Sequence, residues 1–184
     1  MTRSPPLGLL FVLSGAPALL AAPLTAQTFG AGNGTRGVNA NHYDVVRAEE
    51  LRAQAQALYS TPGNWKQVAW LHERAARLRP PGDPHLISDL LVAASLIDRY
   101  GDHRQAGRLM QAAARAALAT GDVAQAAHHY VTAAIMANRA NDGRMALELV
   151  AKAEMLASSP LLDAPARACI RARIIEARAP LDVH

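Results

Sequence analysis

The chain of 184 residues is poor in several residue types, and each scarcity excludes a class of protein. Cysteine occurs once, at Cys169, so neither an internal disulfide nor a cysteine-based zinc cluster can form. Because Cys169 lies in a segment rich in alanine and isoleucine, we expect its thiol to be buried. Aromatic residues make up 4% of the chain, which is too few for the stacking platforms of a nucleic-acid groove.

Lysine is also scarce: it occurs only at Lys66 and Lys152, and every other basic residue is an arginine. The 19 basic residues outnumber the 15 acidic ones, which gives a formal charge of +4. The two signs are interspersed along most of the chain, whereas a nucleic-acid footprint would gather the basic residues on one face. We therefore predict a solvated surface and no nucleic-acid partner.

Sequence motifs that carry catalysis are missing as well. The chain has no G-x-S-x-G elbow and no P-loop, and His72-Glu73 lacks the second histidine of a zinc-protease helix. The adjacent His128 and His129 would point about 100° apart on a helix, which does not suit one shared metal ion. Residues 32–37 match G-x-G-x-x-G, but that motif binds a dinucleotide only between a strand and a helix. We predict no enzyme activity, no metal and no cofactor.

The first 26 residues have the three-part layout of a secretory signal peptide. A positive start at residues 1–3 precedes a mostly apolar run over residues 7–20, which is short of the roughly 20 residues that a membrane span needs. Small residues then lead to a preferred cleavage site after Ala26. We expect an exported protein, periplasmic or secreted, and an uncleaved N-terminal anchor is the alternative. Residues 27–41, rich in glycine and asparagine, predict a flexible linker.

A six-residue signal recurs in the remaining chain and organises it. Residues 101–106 and 121–126 share the pattern Gly-Asp-x-x-Gln-Ala, and residues 141–146 are a looser copy. Glycine ends one helix, aspartate caps the next, and glutamine three residues later can reach back to the cap. Asn64 and Gln67 predict the same capping pair for an earlier helix.

These signals, together with proline stops, predict about seven helices over residues 42–180 and an all-α fold. The predicted starts follow residues 42, 64, 83, 102, 122, 142 and 163, and the ends lie near residues 59, 78, 100, 119, 140, 158 and 179. Pro84 would occupy the first helical position of the third helix, where its missing N–H costs nothing. Short loops force consecutive helices to lie antiparallel, so we predict an α-solenoid of helical hairpins. Its interfaces are rich in alanine, as at Ala113 and Ala133, which allows close helix packing.

Small and large residues recur in a fixed order along three successive pairs of predicted helices. The second helix of a pair carries a small residue, a large one and then alanine, and the first helix carries a large residue followed by a small one. The positions are Val68, His72, Ala75 and Pro80 in the first pair, Leu90, Ala94, Ala106, Met110 and Ala113 in the second, and Tyr130, Ala134, Ala146, Val150 and Ala153 in the third. This pattern resembles that of the tetratricopeptide repeat family over residues 43–160. The period is about 38 to 40 residues against 34 in the family, and Gln56 replaces one small residue. The fifth helix also fits the second-helix pattern through Ala126, Tyr130 and Ala133, so the pairing register stays open.

The resemblance implies a concave groove, lined by the first helix of each pair, in which a protein or peptide partner binds. The candidate binding residues are Ser88, Ser95, Asp98, Arg99, His128, Asn138 and Arg139. The lysine and asparagine with which some members clamp a peptide carboxylate are replaced by Leu91, Ser95, Val131 and Ile135, so that clamp is absent. We predict an adaptor or scaffold for an unidentified protein partner, and the alternative is that these residues form a plain solvated face.

The last predicted helix carries a cluster of arginines. Arg167, Arg171 and Arg178 fall on one side, opposite Ile170 and Ile174. We predict a capping helix with a basic outer face, since a terminal repeat needs a polar outside. The alternative function is a peripheral membrane-surface protein that uses this helix for a weak contact with anionic lipid. The sequence makes no prediction of the oligomeric state.

Overall fold

The computed structural model describes residues 38–61 and 63–179, with side chains from Val45 onward. Seven helices account for most of these residues, and no strand occurs among them, so the predicted all-α fold is confirmed. They are α1 (Val38–Tyr59), α2 (Trp65–Leu78), α3 (Leu86–Arg99), α4 (His103–Ala119), α5 (Val123–Arg139), α6 (Gly143–Ala157) and α7 (Ala164–Arg178). The predicted signal peptide at residues 1–26 and most of the predicted linker lie outside the described residues.

Aspartate caps the last four helices, as the recurring signal predicted for α4, α5 and α6 and as Asp163 predicted for α7. In each case Oδ1 of the aspartate accepts a hydrogen bond from the backbone N–H three residues later. The pairs are Asp102 with Gln105 at 2.9 Å, Asp122 with Gln125 at 2.9 Å, Asp142 with Met145 at 3.1 Å, and Asp163 with Ala166 at 2.7 Å. These bonds satisfy N–H groups that have no partner inside the helix. The glutamine half of the prediction is wrong at Gln105, whose side chain donates to Glu73 on α2 at 2.8 Å.

The first helix begins earlier than the sequence predicted, and the second helix lacks the predicted side-chain cap. α1 starts at Val38 rather than near Tyr43, so residues 38–41 of the predicted linker belong to its first turn. α2 starts at Trp65 as predicted, but the side chain of Asn64 makes no capping hydrogen bond. Asn64 has a φ of −86° and a ψ of 7°, which is not the extended conformation that a capping side chain needs.

The third helix begins at Leu86, about two residues later than predicted. Asp83 caps a turn rather than the helix, since its Oδ1 accepts from the backbone N–H of His85 at 2.8 Å. The same carboxylate accepts from Arg79 at 3.1 and 3.3 Å, which holds the turn against the end of α2. Pro84 therefore lies in this turn and not in the first helical position.

Glycine ends α4 as predicted, by taking a backbone conformation that other residues avoid. Gly121 follows the helix with a φ of +80°, in the left-handed region. The resulting turn lets the N–H of Asp122 donate to the carbonyl of Ala117 at 2.9 Å. Asn141 takes the same role after α5 at a φ of +56°, a conformation that asparagine tolerates better than most residues.

Consecutive helices pack against each other. Side-chain contacts also connect the odd-numbered helices α1, α3, α5 and α7, which we call the odd layer, and Nε of Arg52 on α1 lies 3.9 Å from Asp89 on α3. Asp98 on α3 pairs with Arg139 on α5 at 2.8 Å, and Asn138 on α5 donates to the carbonyl of Ala177 on α7 at 2.9 Å. These contacts link helices that are two apart in the chain. Either pairing of consecutive helices places alternate helices together in this way, so the pairing register stays open.

Helices α2, α4 and α6 form a second layer, which we call the even layer. Gln105 on α4 donates to Glu73 on α2 at 2.8 Å, and Gln111 on α4 lies 3.8 Å from the sulfur of Met145 on α6. α4 therefore lies between α2 and α6. Two layers of antiparallel helical hairpins are the solenoid-like arrangement that the sequence predicted.

The buried core consists of two clusters of apolar side chains that meet at α3, where Ile97 packs against both. Alanine supplies many of the buried positions, and Ala113 and Ala133 have no exposed surface, as predicted. Small side chains allow helix axes to approach near the lower end of the usual 8–10 Å range. α4 and α5 use the smallest of all at Gly107, where a Cβ atom would lie 3.5 Å from the carbonyl oxygen of Ala133.

Candidate functional site

The residues predicted to line the groove fall in three places of the odd layer, and the first of these is an ion pair. Asp98 Oδ2 lies 2.8 Å from Nη1 of Arg139, and Asp98 Oδ1 lies 2.7 Å from Nδ1 of His103. The structure therefore brings Asp98 and Arg139 together, but as charges that already have partners. A ligand at this point would have to compete with the pair.

The second place lies beneath α7. Asn138 donates to the backbone of α7, and its Oδ1 is buried without a hydrogen-bond partner in the described residues. His128 is half-buried, and burial, followed by the positive charge of Arg173, holds its pKa below the ordinary value. α7 thus covers the part of the predicted groove that α5 would have supplied.

The third place is the outer surface of α3. Ser88 donates to the carbonyl of His85 at 2.9 Å within the first turn of the helix. Ser95 is exposed, and Arg99 lines a small cavity of about 100 Å³ beside Trp65. The seven predicted residues therefore lie in three separate places and do not line one groove.

A large open groove lies in the even layer, between α2 and α4. It consists of two adjoining depressions of about 530 and 350 Å³, which share Trp70, Glu73 and Gln105. We call it the α2/α4 groove, defined by Lys66, Trp70, Glu73, Arg74, Arg77 and Gln105. Trp70 is 51% exposed, although tryptophan is highly buried on average. A rigid aromatic ring in a groove is typical of a binding surface.

The floor of the α2/α4 groove is polar and well ordered by hydrogen bonds. Glu73 is buried, and its carboxylate accepts from Arg77 and from the amide nitrogen of Gln105. Because Gln105 uses its nitrogen in this bond, its amide oxygen is left to accept from a ligand. Together the two side chains offer acceptors to the N–H groups of an extended peptide.

Cationic side chains cover the aromatic ones in this groove. The guanidinium of Arg74 lies 5.1 Å from the centre of the Trp70 ring, and the ammonium of Lys66 lies 5.4 Å from the centre of the Tyr100 ring. Both distances are within the roughly 6 Å range of a cation–π interaction. With Arg77 at its edge, the groove combines an apolar surface with positive charge.

A smaller cavity of about 130 Å³ lies on the other side of α4, between α4 and α6. We call it the α4/α6 pocket, and its apolar floor is formed by Gly107, Ala133, Ala137, Met145 and Leu149. Gly107 lines the pocket, and a Cβ atom there would be in ordinary contact with Cβ of Met136, at 3.5 Å. Arg104 and Arg108 also line the pocket, and both are exposed.

The even layer has a larger excess of basic over acidic residues than the odd layer. The helices of the even layer carry eight basic residues, all exposed: Lys66, Arg74, Arg77, Arg104, Arg108, Arg115, Arg144 and Lys152. They carry three acidic residues, of which Glu73 is buried and Glu154 pairs with Arg178, which leaves Glu148. The odd layer also carries eight basic residues, four of them on α7, together with six acidic ones. Basic residues therefore occur in both layers, and the even layer has the larger net positive charge because it carries fewer acidic residues.

The arginines of the predicted basic face are partly engaged in the fold. Arg167 donates to two backbone carbonyls of the loop between α6 and α7, at 3.0 and 3.2 Å. Arg178 lies 2.9 Å from a carboxylate oxygen of Glu154 on α6. Arg171 is exposed. Two of the three predicted residues thus attach α7 to its neighbour rather than facing a partner.

The inward face of α7 is set by its larger apolar side chains. Ile170 has no exposed surface and Ile174 is 5% exposed, so both pack into the core as predicted. Cys169 precedes Ile170 and is therefore rotated about 100° away from that face. It is exposed, and the prediction of a buried thiol is wrong.

A buried cluster of charges joins the first three helices, and no sequence motif revealed it. Asp89 is fully buried and accepts from Nε of Arg79 at 2.7 Å. Nδ1 of His72 lies 2.8 Å from the other carboxylate oxygen and donates its proton there. Arg79, itself buried, also donates to Glu49 on α1 at 2.8 Å. Burial alone would raise the pKa of Asp89, but the hydrogen bonds from His72 and Arg79 outweigh it and hold the pKa below the ordinary value.

This charge cluster has a structural role, because each of its ions already has a partner. The guanidinium of Arg79 is surrounded by three carboxylates, which belong to Asp83, Asp89 and Glu49. None of these residues lines the α2/α4 groove or the α4/α6 pocket. The cluster fixes how α1 and α3 lie against the end of α2, and so it supports the groove from behind.

No family model matches this chain, and no curated protein or solved structure is similar enough to be matched. The likeness to tetratricopeptide repeats therefore depends on residue positions and on the packing of helical hairpins. Within the described residues, no group of three histidine, cysteine, aspartate or glutamate side chains is placed to hold a metal ion. No helix among them combines the length and the apolar character that crossing a bilayer requires.

Proposed function

We propose that this chain is a helical-repeat adaptor that binds a segment of another protein in the α2/α4 groove. The observation that carries the proposal is Trp70, a large apolar ring that is 51% exposed in a groove rather than packed in the core. Tryptophan and arginine are the side chains that most often dominate the binding energy of an interface. Arg74 and Arg77 lie beside this ring in the same groove.

The proposal includes membership of a tetratricopeptide-like class and export from the cytoplasm. The matching residue positions and the two layers of hairpins support the first part, and the N-terminal sequence supports the second. Stacked hairpins offer an extended surface to a peptide or a helix. The groove proposed here, however, lies in the even layer, whereas the resemblance implied the first helices of the pairs. We assign the adaptor no catalytic step and no cofactor.

Selection from a random 12-residue peptide library displayed on phage tests the proposal. The immobilised probe is the chain from Gln27 to His184. We expect enriched peptides, and Trp70→Ala should weaken their binding about tenfold or more, as loss of an interface anchor does. Leu147→Ala is the matched control, since Leu147 is an apolar residue of α6 that is 54% exposed and lies outside the groove.

Circular dichroism and thermal melting should show that both variants fold like the parent. Equal binding by Trp70→Ala and the parent would move the binding site elsewhere. Failure of the library to enrich any peptide above background would reject the adaptor function itself.

The predicted groove of the odd layer is compared in the same experiment. Asp98→Ala/Arg139→Ala removes the ion pair between α3 and α5, and the enriched peptides should keep their affinity. If this double variant loses peptide binding and Trp70→Ala keeps it, the binding site is the groove of the odd layer that the sequence predicted.

Contact of α7 with a membrane surface is a second candidate function, favoured by one observation. Ile175 is 70% exposed and follows exposed Arg171 by four residues, so an apolar and a cationic side chain lie together on the outer face of α7. Vesicles of phosphatidylcholine with phosphatidylglycerol should then bind the parent and not Arg171→Glu/Ile175→Ser. Absence of binding at low ionic strength, where attraction between surface charges is strongest, would remove this candidate.

A further inference from the structure

We infer that the partner of the proposed adaptor is an acidic segment with two apolar anchors. One anchor would lie against Trp70 in the α2/α4 groove and the second in the α4/α6 pocket. Carboxylates between the anchors would contact Arg104 and Arg108 on α4. The inference depends on the proposed function and specifies the chemistry of its ligand.

The outer surface of α4 separates the two cavities and carries the cations. Gln105 lines the α2/α4 groove and Gly107 lines the α4/α6 pocket, on opposite sides of the helix. Arg104, Arg108 and Arg115 repeat at spacings of four and seven, so they form a ridge along the exposed face between those sides. α4 contains no acidic residue that could neutralise this ridge.

The width of α4 fixes the separation of the two anchors. A helix with its side chains is about 10–12 Å across. An extended chain advances about 3.3 Å per residue, so it needs roughly three or four residues to cross that distance. We therefore expect two apolar residues separated by two or three others, with acidic side chains among those in between.

The volumes of the two cavities favour anchors of different sizes. The α4/α6 pocket, at about 130 Å³, suits one branched aliphatic side chain over its floor of alanine, methionine and leucine. The α2/α4 groove is several times larger and is bordered by Trp70 and Tyr100, so it can hold an aromatic residue. Because the two anchors differ in size, the ligand should bind across the even layer in one orientation only.

The polar floor of the groove favours a peptide over a nucleic acid. Glu73 and the amide oxygen of Gln105 accept hydrogen bonds, which suits peptide N–H groups, whereas a phosphodiester backbone offers no N–H donor to them. Single-strand binders also stack successive bases on several aromatic rings. Trp70 and Tyr100 are the aromatic side chains that line this groove. The acceptors on the groove floor and its two aromatic rings therefore fit a peptide better than a polynucleotide.

A set of synthetic fluorescent peptides tests the inference directly. Each peptide contains one tryptophan and one leucine, separated by one to six residues that are all glutamate or all glutamine, and flanked by glycine and serine. Fluorescence polarisation measures the Kd for the chain from Gln27 to His184. We expect the tightest binding at two or three intervening residues, and binding of the glutamate series about tenfold tighter than of the glutamine series at low salt.

Charge reversal on the ridge should remove that preference. Arg104→Glu/Arg108→Glu is expected to abolish the tighter binding of the glutamate series and leave the glutamine series nearly unchanged. Arg171→Glu on α7 is the matched control, since it reverses an exposed charge away from the even layer. It should leave both series as they are.

The outcomes separate this inference from the proposed function. If the phage library enriches peptides but glutamate and glutamine series bind alike, the acidic partner is wrong and the adaptor remains. If binding does not depend on the spacing, the two-anchor arrangement is wrong. Tighter binding of a 12-nucleotide oligothymidylate than of every peptide would overturn the inference, as would absence of peptide binding at 100 μM, a concentration corresponding to roughly −5.5 kcal/mol.

Discussion

Asp89 is a fully buried carboxylate in a protein whose core is otherwise built largely from alanine and leucine. An isolated ion in that position would be strongly disfavoured, and only its hydrogen bonds from His72 and Arg79 make it tolerable. Arg79 in turn depends on Asp83 and Glu49 for its remaining contacts. The cluster specifies how three chain segments meet, because any other arrangement would leave a buried charge without a partner.

Asp89→Asn is therefore expected to destabilise the fold by about 3 kcal/mol, at the lower end for a broken buried pair because Arg79 keeps two other carboxylates. Urea unfolding followed by circular dichroism measures the change. Glu50→Gln is the control, since Glu50 pairs with Arg47 on the exposed surface and should contribute less than about 1 kcal/mol. A loss of similar size in both variants would contradict the structural role of the cluster.

His128 and His129 give the stability a dependence on pH near neutrality. Burial is the main cause that lowers the pKa of both imidazoles, with Arg173 adding to it at His128, and His128 adding to it at His129. The unfolded chain takes up protons below about pH 6.5, where the folded state still binds fewer, so stability falls as the pH drops. Asp89 acts at lower pH, since its lowered pKa gives stability that is present above about 3.9 and lost as the pH falls through the folded value.

The test is the melting temperature at pH 7.5 and 5.5. The parent should melt at a lower temperature at pH 5.5, and His128→Gln/His129→Gln should reduce that difference. His85→Gln, at an exposed position before α3, serves as the control and should leave it unchanged. An unchanged pH dependence in the double variant would mean that other groups produce it.

At the scale of elements, the helix caps show where the sequence is a sufficient guide. A cap depends on residues within one turn, so a local pattern predicts it, and the last four helices begin where aspartate predicted. The prediction failed where a neighbouring element competes for the side chain. The side chain of Gln105 bonds to Glu73 on α2, which is distant in sequence. Asp83 bonds to Arg79, which is only four residues away but belongs to the end of the preceding helix.

Removal of one cap should have a measurable effect that a non-capping residue does not share. Asp122→Ala is expected to destabilise the fold by about 1 kcal/mol, because the N–H of Gln125 loses its acceptor. Asn64→Ala should change stability much less, since the side chain of Asn64 makes no capping bond. Chemical denaturation measures the free energy of unfolding of both variants. Equal losses of stability would show that the capping hydrogen bond of Asp122 contributes no more than the side chain of Asn64.

The candidate groove could be predicted in part from the sequence. Lys66, Trp70, Arg74 and Arg77 repeat at spacings of four, four and three, on the side of α2 away from the buried Val68. That spacing alone indicates an exposed tryptophan among cations. The sequence could not show that α4 forms the other wall, because which helices become neighbours in a layer is decided by packing over distances beyond a hairpin.

At the scale of the whole molecule, the same limit explains the distribution of charge. Basic and acidic residues are interspersed in the sequence, and their separation becomes visible only once alternate helices are assigned to two layers. The even layer then carries eight basic and three acidic residues, while the odd layer carries eight basic and six acidic ones. A resemblance based on small and large residues defines the hairpins, but it carries no information about the charges on their outer surfaces.

The stacking of neighbours along the chain also predicts how the molecule opens. In a solenoid each hairpin is stabilised mainly by the adjacent ones, so a defect at one end should affect that end most. Asp89→Asn should accelerate amide hydrogen exchange in α1, α2 and α3, with little change in α5 and α6. Ile170→Ala removes a fully buried side chain from α7 and should accelerate exchange in α5, α6 and α7 instead. Native-state exchange read by mass spectrometry distinguishes the two patterns, and a uniform increase over all seven helices in both variants would show that the chain opens as one cooperative unit.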